Sequence, residues 1–216
     1  MSETQRSDPP TEPIRFPDLD RVRDDLRADA AAGHLALWGT STVVDELAGV
    51  PVLEQQRFDQ LHAAAGIRAR FPVGNAGVLH VYGYWFSTIV TAHGLKRDRW
   101  VDGRLAGAFG LAPEGFHLGD GRTTTLLRRV TDVALPLLLD PPWDAATADV
   151  EVEGRHTRTV LHRAAGARTT ALLYGVDEGA GLRLITTFPV DGDPQPLLDA
   201  SVAVPRLRWN AAPAGS

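Results

Sequence analysis

The chain has 216 residues, 44% of them hydrophobic and 23% charged, with a net charge of −5 at pH 7. That length and composition fit one globular domain able to bury a full core, and the acidic balance argues against a protein that coats nucleic acid. There is no cysteine, which excludes disulfides, thiolate catalysis and zinc–thiolate centres.

The first 15 residues are rich in Ser, Pro, Asp and Glu and read as a disordered tail ahead of a single domain over 16–212. The N-terminus has no apolar core of a signal peptide. No apolar run approaches the roughly 18 residues that span a bilayer; the longest, 130–139, is interrupted by Asp132 and Pro136. The expectation is a cytoplasmic protein with no membrane partner.

Leu19, Val22, Leu26 and Ala30 recur at helical spacing and predict a helix over 18–32, stopped by Gly33. The apolar run 34–38 suggests a strand. Gly39 to Ser41 then offers a turn and a cap for a short helix over 42–47. A further helix is predicted over 53–65, with Leu53, Phe58 and Leu61 inward and Gly66 closing it. Residues 73–77, Val-Gly-Asn-Ala-Gly, read as a loop. Over 78–90 the residue types alternate, so a strand would put His80, Tyr82, Tyr84, Phe86 and Thr88 on one face; a helix is the rival reading. Asp98 can cap a helix running to 109, with Val101, Leu105 and Phe109 on its core face. Pro113 suits the first turn of a short helix. Thr123 or Thr124 caps another that ends or kinks at Pro136 and stops at 140–142, Asp-Pro-Pro.

The last third changes character. Four β-branched runs, 150–152, 157–163, 169–176 and 182–190, are separated by Gly-containing turns and predict an antiparallel meander. A proline-rich link and a final strand over 206–209 follow. Helices first and strands later make the fold class α+β, a helical N-terminal half packed on a C-terminal antiparallel meander.

Chemistry concentrates in residues 78–104. This block holds two of the three tyrosines, two of the five tryptophans, two of the seven histidines and the only lysine, Lys96, of a chain whose other cations are all arginine. Aromatic bodies with polar tips, interleaved with His, Ser and cations, make small-molecule sites. His80, Tyr82, Tyr84 and Lys96 are the candidate catalytic groups, for proton transfer or, at Lys96, for a Schiff base. Trp85 and Ser87 would line the substrate. Lys96, Arg97 and Arg99, three cations just before a predicted helix, would hold a carboxylate or phosphate, and Arg206 and Arg208 on the terminal strand would close an anionic pocket. His156 and His162 stand too far apart on one strand to chelate a metal together, and neither a metal nor a cofactor is expected. Dinucleotide, P-loop, serine-hydrolase and zinc-protease patterns are all absent.

The strings LHVYGYWFST, GLKRDRWVDGRLAGAFGL and PRLRWNA resemble a group of small actinobacterial proteins loosely labelled "amino acid deaminase". The resemblance implies an amino-acid-like substrate. The string LITTFPV is faintly similar to a strand of small toxin-type endoribonucleases. The expected function is therefore a small-molecule enzyme of specialised metabolism, working on an anionic amino-acid-like or aromatic acid by metal-free acid–base chemistry of the C–N lyase or deaminase type. The alternatives are a non-catalytic ligand-binding or homodimerising module, and a metal-free ribonuclease using His156, Arg158 and His162, with Arg206 and Arg208 on phosphates.

Overall fold

The structure is a computed structural model that describes residues 16–91, 94–119 and 122–207. The predicted 1–15 tail lies outside the described residues, as do Arg208 and the rest of the predicted terminal strand beyond Leu207.

Helix α1, Leu19–Ala31, starts where the Asp18 carboxylate accepts the Asp20 N–H at 3.0 Å. It buries Val22, Leu26 and Asp29. The run after it is not a strand: His34–Leu37 is a single 3₁₀ turn. The helix predicted over 42–47 is replaced by the end of strand β1, Thr40–Thr42, and a bend and turn. Strand β1 pairs antiparallel with β2, Val73–Asn75, inside the segment predicted to be a loop. Between them lies α2, Gln55–Ala64, which buries Phe58 and Leu61.

Most of the 78–90 segment, through Phe86, is wound rather than extended. Gly77–Tyr82 forms a π-helical turn, with the Gly83 N–H reaching back to Val78, and Gly83–Phe86 tightens into a 3₁₀ turn. Every residue from Gly77 to Trp85 is buried, so the loose alternation in the sequence marks no solvent face. A segment apolar on all sides at the centre of a molecule satisfies its own N–H and C=O groups as a helix, whereas a strand needs partners along both edges.

A short ribbon, β3 (Val90–Thr91) with β4 (Gly94–Leu95), leads to two helices, α3 (Asp98–Val101) and α4 (Arg104–Ala108). They replace the single predicted helix. Gly103 between them sits at φ 75°, the left-handed region that other residues avoid, and the chain breaks there. Val101 is accordingly exposed, not core. After a 3₁₀ turn at Pro113–Phe116, helix α5, Leu126–Leu139, is capped by the Thr125 side chain, one or two residues later than predicted, and carries Pro136 in its last turn.

The meander forms as expected. Strands β5 (Ala146–Val152), β6 (Arg155–His162), β7 (Thr170–Asp177) and β8 (Leu182–Val190) pair in chain order, all antiparallel. One face packs on α5 and the helical half, through Val160, Leu173 and Leu184. The approach is close at Gly175, where a β-carbon would fall 2.4 Å from a Leu138 methyl. The other face carries Leu172, Tyr174 and Ile185, and helix α6, Gln195–Ala203, covers part of it with Leu198. Helix α6 lies in the stretch read as a proline-rich link. Arg206 and Leu207, placed on a strand by the sequence, are in no strand.

Among the described residues no helix is long and apolar enough to cross a membrane.

Candidate functional site

A cavity of about 590 Å³ opens on the α6 side of the sheet, a size suited to a small organic ligand. Its floor is sheet: Leu172, Tyr174, Thr186 and Phe188 point into it from β7 and β8. Leu197 and Ser201 of α6 form one wall, and Asp45, Lys96 and Arg99 form the opposite one. The alternation of strand side chains sends these sheet residues to the α6 face, while Leu173 and Gly175 go to the α5 face.

The polar wall is organised around the Tyr84 ring, which is fully buried. The Lys96 ammonium lies 5.7 Å and the Arg99 guanidinium 5.0 Å from its centroid. Both cations come from the ribbon-to-α3 junction, whose turn is closed by the Asp98 carboxylate accepting the Leu95 N–H at 3.2 Å. Lys96 donates to Asp45 Oδ2. The other oxygen, Oδ1, accepts the amides of Leu47 at 3.0 Å and Ala48 at 2.9 Å. Burial acts to raise the Asp45 pKa, but the bonds from Lys96 and those amides outweigh it and hold the group below the usual carboxylate value. The Lys96 pKa is lowered, first by burial and then by Arg99, more than Asp45 restores it.

Arg99 is mostly buried and donates to Thr186 Oγ1 at 3.2 Å and to the Thr187 carbonyl at 3.1 Å. No carboxylate among the described residues pairs with it, whereas the two other cations lining the cavity are matched, Lys96 with Asp45 and Arg104 with Asp102 and Asp191. Burial depresses its pKa from the usual arginine value. A guanidinium stays charged under any ordinary condition; the charge of Asp45 reaches it, but Asp45 is bonded to Lys96, so on this wall Lys96 and Arg99 share one carboxylate.

The other sequence candidates fall elsewhere. His80 stacks beneath Tyr84, 4.9 Å between ring centroids, and is 1% exposed. Its Nε2 hydrogen-bonds with Ser41 Oγ at 2.9 Å. Burial, then the charges of Arg99 and Lys96, push its pKa well below 6.5, so it is a neutral ring behind the cavity wall. Tyr82 points the other way, donating to Asp29 at 2.5 Å. That buried carboxylate also accepts from Thr125 and contacts His34 Nδ1 at 2.9 Å. Burial, then Asp29, raises the Tyr82 pKa well above 10. Trp85 and Ser87 are buried and do not line the cavity, nor does Arg97. Arg206 reaches the rim indirectly, through an ion pair with Glu46. Asp149 of β5 holds His156 at 2.7 Å and Arg158 at 2.7 Å on β6, Arg158 also bonds the end of α5, and His162 stacks on Phe109.

Sequence reasoning missed Asp45, the α6 wall and the sheet floor. Asp45 stands in an unremarkable Val-Val-Asp-Glu-Leu string. The floor residues carried a signal, the alternation along β7 and β8, but not which face a ligand would meet. Among the described residues no three of His, Asp and Glu gather as metal ligands. Comparison with protein-family models, curated proteins and solved structures finds no match to this chain.

Proposed function

We propose that this protein binds a small organic anion, a carboxylic acid with an apolar or aromatic body, in the cavity between α6 and the sheet. The observation that carries the reading is Arg99: a mostly buried guanidinium on the cavity wall with no carboxylate partner among the described residues. Leaving such a charge uncompensated costs several kcal/mol; a ligand carboxylate supplies the missing partner in a geometry suited to a guanidinium. Leu172, Tyr174 and Phe188 provide the surface for the body of the ligand. An amino-acid-like or aromatic acid, as the family resemblance implies, suits these walls, and a role in cytoplasmic small-molecule metabolism accords with such a ligand. Acid–base catalysis by His80, Tyr82 and Tyr84 draws less support, because none of the three lines the cavity.

The test is thermal shift against a panel of carboxylic acids and their amides, with Arg99→Gln alongside. Acids should raise the melting temperature and amides should not, with about 2.7 kcal/mol of stabilisation at a hundredfold excess over Kd. A shift that survives Arg99→Gln, or no shift with any acid, rejects the reading. Mass analysis of the recovered acid separates binding from turnover.

A further inference from the structure

We propose that Lys96 is an imine-forming lysine, and that the acid held by Arg99 is an oxo acid whose carbonyl condenses with the Lys96 amine. The inference rests on the anion-binding reading above and goes beyond it in naming a covalent step and the carbonyl that it needs.

Four observations support it. The chain has one lysine, and its side chain is 11% exposed on the wall of the cavity. A lysine kept for surface charge stays in water, where its ammonium is best solvated. Lys96 and Arg99 are three residues apart at the entry to α3 and lie against the same Tyr84 ring, so an amine and a carboxylate-binding fork face one small volume. Asp45, in hydrogen-bond contact with the ammonium, is fixed by two backbone amides, which places a proton acceptor on the nitrogen. The depressed basicity of Lys96 agrees with this arrangement: burial and a neighbouring cation make an amine available as a nucleophile.

The step balances without an outside reagent. Lys96 gives one ammonium proton to Asp45. The free amine adds to the carbonyl carbon, forming the C–N bond, and a nitrogen proton moves to the former carbonyl oxygen to give the carbinolamine. Asp45 returns its proton to that hydroxyl, the C–O bond breaks, and water leaves. The product is a protonated imine on Lys96 beside an Asp45 carboxylate, with the ligand carboxylate on Arg99.

Reductive trapping tests it on the full chain. The protein is incubated with pyruvate, acetoacetate or phenylpyruvate, treated with sodium borohydride, and its intact mass and peptides are measured. Borohydride delivers hydride to the imine carbon, so the adduct adds the mass of the oxo acid less one oxygen atom. The expected result is one adduct, on the Lys96 peptide, requiring both oxo acid and borohydride, and reduced at least tenfold by Arg99→Gln. Lys96→Arg, which keeps a cation opposite Asp45, should give no adduct. 3-Phenylpropionate, which lacks the carbonyl of phenylpyruvate, separates the two readings. If it raises the melting temperature and no oxo acid labels Lys96, the imine is overturned and anion binding stands. If neither it nor any oxo acid shifts melting and no adduct forms, both fall. Labelling confined to the N-terminal amine also overturns the imine.

Discussion

The Lys96 ammonium and the Asp45 carboxylate meet on the wall of the cavity, each almost fully removed from water, with Asp45 held from behind by the amides of Leu47 and Ala48. The pair ties the loop after β1 to the entry of α3, so it both shapes the cavity and holds the amine. Removing one partner strands the other charge in a poorly solvated place. Asp45→Asn is expected to destabilise the fold by about 3 kcal/mol, and Lys96→Met by a comparable amount. The double substitution should restore a substantial part of the loss, because no charge is then left uncompensated. Urea denaturation of the two single variants and the double variant measures this as a coupling energy.

Arg99 is expected to behave in the opposite way. Among the described residues no carboxylate is within ion-pair distance of it, so Arg99→Met removes a cost of burial along with two hydrogen bonds, to Thr186 and Thr187. Stability should stay within about 1 kcal/mol of the wild type, while affinity for carboxylic acids falls at least tenfold. Paired denaturation and calorimetric titration check this. A variant that unfolds would mark Arg99 as a structural strut.

Tyr82 and Asp29 belong to a different part of the molecule. The Asp29 carboxylate is fully buried and joins α1 to the central wound segment through Tyr82, to the cap of α5 through Thr125, and to the 3₁₀ turn through His34. Tyr82→Phe removes one hydrogen-bond partner from a buried carboxyl group and should cost about 1–3 kcal/mol. It should leave carboxylate affinity unchanged, because Tyr82 does not line the cavity. A loss of affinity at constant fold would return Tyr82 to the site.

His80 makes stability depend on pH. Folded, its pKa lies well below 6.5, through burial first and then the charges of Arg99 and Lys96. The unfolded chain takes up this proton near pH 6.5. The unfolded state therefore binds more protons in the window below that value. The stabilisation is complete above about pH 6.5 and declines as pH falls, by up to about 1.4 kcal/mol per unit while His80 stays neutral in the fold. His62 and His162, whose pKa values burial also lowers, add slopes of the same sign. Urea denaturation at pH 7 and pH 5 should show the loss, and His80→Gln should make it smaller.

Local pattern alone determined a good part of this protein. The apolar spacing of Val22 and Leu26, and of Leu127, Val130 and Ala134, specifies α1 and α5. The β-branched runs between Gly-containing turns specify the four-stranded meander. These are statements about neighbours three, four or two residues apart, and such neighbours are printed in the chain. The concentration of aromatic and cationic residues in 78–104 likewise places Lys96 and Arg99 among the candidate groups by pattern alone.

Only tertiary structure decided what faces what. The alternation of His80, Tyr82 and Tyr84 has no meaning in a segment buried on every side, so winding sent Tyr82 to Asp29 and slid His80 under Tyr84. Asp45 became the partner of Lys96, and Thr186 of Arg99, because the loop after β1, the entry to α3 and β8 dock together across 51 and 87 residues of chain. No local spacing encodes such contacts. They follow from which apolar faces the helices and the sheet must cover, and the shortage of carboxylates beside Lys96 and Arg99 among the described residues becomes visible only when those faces have closed around them.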